Sequence, residues 1–378
     1  MIASRLGSSR RLAWGLVPLM AFVLAGCSNA GGVAASWPSV SAGADRVYVA
    51  YGPAVYAVDL EGDEVWRYPK VAVRDLAFYA APAVSEDGMV YAGAYTGHLF
   101  ALDAETGDLE WEFPTADGAD GTADGRIVGS PTIAGDVLLV PTDGGTLFFL
   151  DRLSGETLRT FEANGQLWSA PRIADGTAYL ASLAHTVYAI DVSTAEQVWS
   201  TNLGFAIADS PTLEAGTVLA GILGDSLVAL QARDGQEVWR APSEGWLWGS
   251  PAVVEGQAIF GDVVGNVYAL NLADGRLLWQ QTPGEPVTSS PVVVDGRVVI
   301  GFDSGKLVAY NIETQSVDWD ETAAGAILSD PVVMGSSVIV AVTSKEGGPA
   351  AGLRRRHRRS HVELPPGLGR LIKGPRHD

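Results

Sequence analysis

Groups that could do covalent or acid–base chemistry are sparse in this chain of 378 residues. Of its five histidines, His357, His361 and His377 fall in a basic C-terminal segment, leaving His98 and His185 far apart. Neither has a nucleophile or ligand partner at a recognisable spacing. Residues 116–125 carry Asp117, Asp120 and Asp124 but lack the spacing and closing Glu of a calcium-binding EF-hand loop, so they read as a solvated insertion. No catalytic residue, metal ligand or cofactor is expected. The chemistry on offer is that of contact. Phe78, Tyr79, Arg126, Trp168, Phe205, Trp246 and Trp248 all lie in short segments that lead into prolines. Trp246 and Trp248 are alternate residues, so on an extended backbone both point the same way. Aromatics beside an arginine compose a protein-binding surface. The competing reading is that they plug the channel of a wide ring, or line it for a small molecule or glycan.

Cys27 is the only cysteine, so it cannot form an internal disulfide. Arg5, Arg10 and Arg11 precede an apolar stretch at 12–26, shorter than the roughly 20 residues of a membrane-spanning helix. Residues 1–26 therefore read as a cleaved export signal. Leu24-Ala25-Gly26-Cys27 resembles the bacterial lipobox, which implies a lipidated Cys27 anchored to a bacterial membrane, on its periplasmic or extracellular face. A later cleavage near Ala34-Ala35-Ser36 would leave Cys27 incidental. Residues 27–37 form a tether whose small residues at 28–36 reach roughly 15–18 Å.

The elements that must position the aromatic segments recur with a fixed period. Pro131, Pro171, Pro211, Pro251, Pro291 and Pro331 are 40 residues apart, each preceded by Ser, Ala or Asp, and Trp199, Trp239, Trp279 and Trp319 keep the same interval. A period of about 40 marks stacked supersecondary units such as propeller blades. In the unit at Pro251, residues 251–256 are an apolar strand running into a turn. Residues 257–261, 267–270 and 277–280 follow as strands separated by turns containing Gly, Asp and Asn. Four short antiparallel strands per unit make an all-β propeller. Seven complete units start near Pro38, Pro82, Pro131, Pro171, Pro211, Pro251 and Pro291. An eighth, truncated one at Pro331 supplies strands at 332–334 and 338–342, so the propeller spans 38–344. Trp66, Trp111, Trp199, Trp239, Trp279 and Trp319 close their units and are expected to dock against the adjacent blade. Arg159 stands where the third unit should have its Trp, with Phe161 as a partial replacement.

The run Ala101-Leu102-Asp103-Ala104-Glu105-Thr106-Gly107-Asp108-Leu109-Glu110-Trp111 resembles the PQQ-like propeller repeat. With the signal and lipobox, the chain to about residue 344 resembles the BamB family of outer-membrane assembly propellers. That resemblance implies a non-catalytic, membrane-anchored scaffold that binds protein partners through its inter-blade loops. Enzymes sharing the repeat bind a quinone and calcium and carry an adjacent cysteine pair. This chain lacks the pair, so a quinone-dependent dehydrogenase is the weaker reading.

The formal charge of −19 is unevenly spread: residues 345–378 hold nine Lys/Arg against three acids. The remaining acidic surface repels phosphate, so no nucleic-acid partner is expected, and the propeller is expected to be monomeric. The basic segment at 345–378 is expected to be disordered. Arginine codons CGN read one base later become GNC, encoding Ala, Val, Asp or Gly. The segment thus reads as the missing half-blade in the wrong frame, which the nucleotide sequence decides. A basic tail meeting anionic lipid is the competing reading.

Overall fold

The computed structural model describes residues 38–114, 125–323, 325–344, 361–363 and 370–372. The export signal, Cys27 with its tether, Asp117, Asp120 and Asp124 lie outside them. So does most of the C-terminal basic segment.

Seven four-stranded antiparallel sheets begin at Ser39, Ala83, Thr132, Arg172, Thr212, Ala252 and Val292, each one residue after a unit-opening proline. Strands stand in chain order within every sheet, so each sheet is a meander from a short inner strand to an outer one. In the sixth blade the strands are Ala252–Val254, Gln257–Gly261, Val267–Asn271 and Leu277–Gln281. The two middle strands are packed by a neighbouring blade on both faces, so they read as unbroken apolar runs instead of alternating ones. Ala258, Ile259 and Phe260 are accordingly all buried.

Each interface between successive blades holds its own apolar cluster, and the last of these closes the ring. Val40, Val47, Val49 and Val58 of the first blade pack on Ile339 and Ala341 of the eighth. Strand Val332–Met334 lies beside the inner strands of both the seventh and first blades. The eighth blade is irregular beyond that point. The strand expected at 338–342 splits into Ser337–Ile339, which pairs with Val332–Met334, and Val342–Ser344, which pairs with Gly325–Ile327 of the entering loop. In the basic segment, His361–Glu363 and Arg370–Ile372 pair with each other, and the latter comes up beside Ser337–Ile339. Two short strands thus stand where disorder was expected.

The repeat's Gly and Trp serve one contact. The Trp66, Trp199 and Trp239 Nε1–H groups donate to the carbonyls of Ala104, Ala232 and Leu272 in the next blade, at 3.0, 2.8 and 2.9 Å. Their rings lie on Gly107, Gly235 and Gly275, where a Cβ would come within 2.6, 2.5 and 2.6 Å of the indole. Trp111 covers Gly155 in the same way. Those glycines also adopt φ of about +70°, a region costly for other residues. Trp279 packs against Tyr310, and Trp319 is half-buried against the eighth blade. The Arg159 interface departs on both sides at once. Its opposite turn position is Ala195, at φ 60°, and Phe161 packs edge-on to Tyr188 at 5.5 Å. Restoring the indole alone, by Arg159→Trp, is expected to destabilise by about 1–3 kcal/mol, because the Ala195 methyl occupies its seat. Adding Ala195→Gly should reverse the loss. Additive melting-temperature changes across that double-mutant cycle would refute the coupling.

Candidate interaction surface

Strand register decides which loops share a face. Val267 pairs with both Gly261 and Gln281, so the turn between the second and third strands and the loop leaving the fourth strand emerge at the same end. Paired backbone bonds stitch most of these loops to the turns of both flanking blades. Leu247 N–H donates to Ile222 O, and Val263 N–H donates to Trp246 O. Ile127 and Asp143 form the same bonds, to Ala94 O and Arg126 O.

Every one of these loops plugs an apolar anchor into the wall. Ile127, Leu167, Ile207, Leu247, Val287 and Ile327 recur at intervals of 40 and are all buried, as is Phe78 in the first such loop. A glycine in the preceding blade makes the seat in several interfaces. A Cβ on Gly261 would lie 2.5 Å from Val287 Cβ. With the anchor inward, its two sequence neighbours turn away from the wall.

That parity accounts for Trp246 and Trp248; Tyr79, beside the anchor Phe78, is nonetheless buried, and Phe205, two residues before Ile207, is exposed. Phe78 is itself an anchor, its N–H bonded to Gly52 O, and Tyr79 is only 8 % exposed with its ring 5.0 Å from that of Tyr95. Neither presents the open surface expected of it, because the first inter-blade loop turns these two groups into the fold. Arg126 is held in place: it donates to Tyr95 Oη, lies 4.6 Å from that ring's centroid and stands 3.6 Å from the Asp143 carboxylate. Trp168 is half-buried with its Nε1 enclosed. Phe205, Trp246 and Trp248 are 50 %, 52 % and 41 % exposed. Phe205 rests one face on Gly224, while Trp246 and Trp248 flank the Leu247 anchor. The open aromatic surface is therefore concentrated between the fourth and sixth blades.

Two polar constructions that the sequence did not disclose support it. Asp262 is fully buried at the turn beneath Trp246. Its Oδ1 accepts the amides of Val264, Gly265 and Asn266, and its Oδ2 accepts Gly245 N–H, Asn266 Nδ2–H and Tyr268 Oη–H. Burial pushes this carboxyl up, but those hydrogen bonds outweigh it and hold the group below the ordinary aspartate value. Around the axis, residues just before the prolines form a second relay. Ala170 N–H donates to Ser210 Oγ, Ser250 N–H to Ser290 Oγ, and Ser290 N–H to Asp330 Oδ1. Asp209 Oδ2 accepts from the hydroxyls of Ser250 and Ser290 at 2.9 and 2.7 Å. Residues leading into five successive blades meet here, which places the collar at the central channel. Asp330 keeps exposed surface yet is walled by protein; that enclosure, reinforced by the Asp209 charge, raises its pKa to about 7. The recurring Ser, Ala or Asp before each proline was the only sequence sign of the collar.

Fold and loop face together define an all-β propeller of the quinoprotein-repeat class whose accessible chemistry is a rim of indoles. A family model described as outer membrane protein assembly factor BamB matches residues 23–161, 120–245 and 184–351. The chain belongs to that family. Solved structures share the fold. BamB from Moraxella catarrhalis aligns at TM-score 0.69 and 19 % identity, over 81 % of this chain and 93 % of that one. The computationally designed Ika8 protein aligns at 0.72 and 14 %, over 91 % and 97 %. A europium-containing methanol dehydrogenase aligns at 0.64 and 15 %, over 83 % of each. In sequence, a polyvinylalcohol dehydrogenase from Pseudomonas sp. is 34 % identical over 126 residues, 29 % of this chain and 20 % of that protein. The match spans a fifth of that relative's length.

Proposed function

We propose that this chain is a non-catalytic scaffold, exported and anchored through Cys27, that binds protein partners in envelope or outer-membrane assembly. The observation that carries this reading is the pair Trp246 and Trp248, presented to solvent on a backbone fixed by the Leu247 anchor and the Asp262 turn. Rigid, exposed aromatics of this kind dominate protein interfaces, because little side-chain freedom is lost when they dock. Membership of the assembly-factor family supports the same assignment.

Similarity to dehydrogenases raises the quinone-dependent alternative. The residues present do not fit a calcium-bound quinone. Among the described residues no three acids or histidines gather as a metal site, and the channel carboxylates Asp209 and Asp330 are already engaged by serines.

Capture of envelope proteins by the Trp246→Ala/Trp248→Ala double variant tests the proposal. Co-purified partner is expected to fall at least ~100-fold, the scale of two interface hot spots. Val198→Ser, on an exposed outer strand, is the control and should capture normally. Undiminished capture by the double variant would sink the scaffold reading of this surface.

A further inference from the structure

We infer that the partner's docking element is a cationic one: an extended polypeptide segment with Lys or Arg set between apolar side chains, laid across Phe205, Trp246 and Trp248. This rests on the scaffold reading above and adds the chemistry of what is bound.

Charge distribution carries the argument. Residues 203–344 contain seventeen acids and five bases, Arg233, Arg240, Arg276, Arg297 and Lys306. Arg233 and Arg276 sit in turns between third and fourth strands, and Arg297 opens a second strand, so these three stand at the end of the blades opposite the loop face. Arg240 is held by Glu237 and donates to Leu203 O. Only Lys306, opening its third strand, begins at the loop end. Beside the buried Asp262 and the Thr288-bonded Asp303, the acids there include Asp209, Asp225, Glu244, Glu285 and Asp330. None of these five is in an ion pair among the described residues.

Indole faces attract ammonium and guanidinium groups, and the adjoining carboxylates compound that attraction. The Asp209 and Asp330 carboxylates also stand close enough to oppose each other's charge, a cost that Arg172 of the fourth blade offsets in part and a further cation at the channel mouth would relieve. An anionic lipid surface or an acidic peptide meets repulsion at the same place. The apolar groups come from two successive inter-blade loops, so an occupant touching all three must be extended across them. A polypeptide segment spans two loops more readily than a compact amine.

The test uses the full chain in detergent micelles and three synthetic peptides of alternating apolar and variable residues, the variable positions being Lys, Gln or Glu. Tryptophan fluorescence reports binding. The Lys peptide is expected to bind at least ~10-fold more tightly than the Gln or Glu peptide. That margin should shrink as salt rises from ~50 to ~500 mM, because the Debye length falls. Asp225→Asn/Glu244→Gln/Glu285→Gln, three surface changes, should erase the Lys preference at an unchanged melting temperature. Equal binding of the Lys and Glu peptides would overturn the inference, as would a Lys preference that survives in the triple variant. Trp-dependent adsorption of phosphatidylglycerol vesicles would overturn it in favour of lipid. If the Lys preference is absent while partner capture still depends on Trp246 and Trp248, only this inference falls. Capture that ignores those tryptophans removes the reading beneath it.

Discussion

Trp239→Ala is expected to lower the unfolding free energy by about 3–5 kcal/mol, the scale for deleting a large buried aromatic that leaves a cavity. The indole bridges two blades: its ring lies on Gly275, and its Nε1–H reaches Leu272 O at 2.9 Å. Around it Leu219, Ala229, Leu270 and Tyr268 complete one apolar cluster. Collapse into the vacated volume is unfavourable, since the backbone of both blades is fixed by their own ladders. Trp239→Phe, which keeps much of the ring but loses the donor, should cost less, with about 1 kcal/mol of its loss due to the hydrogen bond. Trp319 provides the contrast, because it faces the irregular eighth blade and is only half-buried. Its Ala variant should lose less than half as much as Trp239→Ala. Urea unfolding of the three variants measures this order. A Trp239→Ala loss below ~1 kcal/mol, or a larger loss at Trp319, would show that the indoles are not the main inter-blade fastening.

Why such contacts could be read in advance, and others could not, follows from the range over which each is encoded. Proline, the apolar run after it and the closing Trp lie within one unit, so the sheet boundaries at Ala252, Gln257, Val267 and Leu277 were legible to within a residue. The aromatic segments were legible as a class but not as individuals. Phe78-Tyr79 and Trp246-Leu247-Trp248 look alike in composition, yet the first pair turns into the fold and the two indoles turn out. For Phe78, Trp246 and Trp248 the sorting signal was place relative to the buried position repeated at Ile127, Leu167, Ile207, Leu247, Val287 and Ile327, whereas Tyr79 and Phe205 were decided by their own neighbours, Tyr95 and Gly224. Phe78 occupies that position. The channel collar lay further out of reach, since Asp209 meets Ser290 and acts on Asp330 only once successive blades curve around an axis. Arg159 and Ala195 show the converse case. Their joint departure from Trp and Gly becomes intelligible only when the turn of one blade is seen as the seat for its neighbour's indole.

Asp262 is the residue for which sequence and structure diverge most, and its removal should have the second large effect. Asp262 reads as one polar residue of a tight turn, whereas it is the buried hub of the loop carrying Trp246 and Trp248. Six donors converge on its two oxygens, and five of these bonds are buried from water. Asp262→Ala removes the acceptor for all six. Gly265 N–H keeps its bond to the backbone carbonyl at that position and Asn266 Nδ2–H its bond to Glu244, but Gly245 N–H, Asn266 N–H and Tyr268 Oη lose a buried partner, and a loss of about 3 kcal/mol is expected. Asp262→Asn satisfies one side with its carbonyl oxygen but turns its own NH2 toward Gly245, Asn266 and Tyr268. It should therefore remain clearly destabilised, with faster amide exchange at Gly245 and Leu247 and weaker partner capture. The pH dependence has a definite sign. This carboxyl is held below its unfolded-state value, so its contribution is complete above about pH 4 and is lost as pH falls through the lower folded-state pKa. Wild type should thus lose part of its advantage over Asp262→Asn in acid and keep it at neutral pH. A stability gap that widened below pH ~4, or a loop whose exchange was unchanged by either substitution, would remove Asp262 from its role in presenting the two tryptophans.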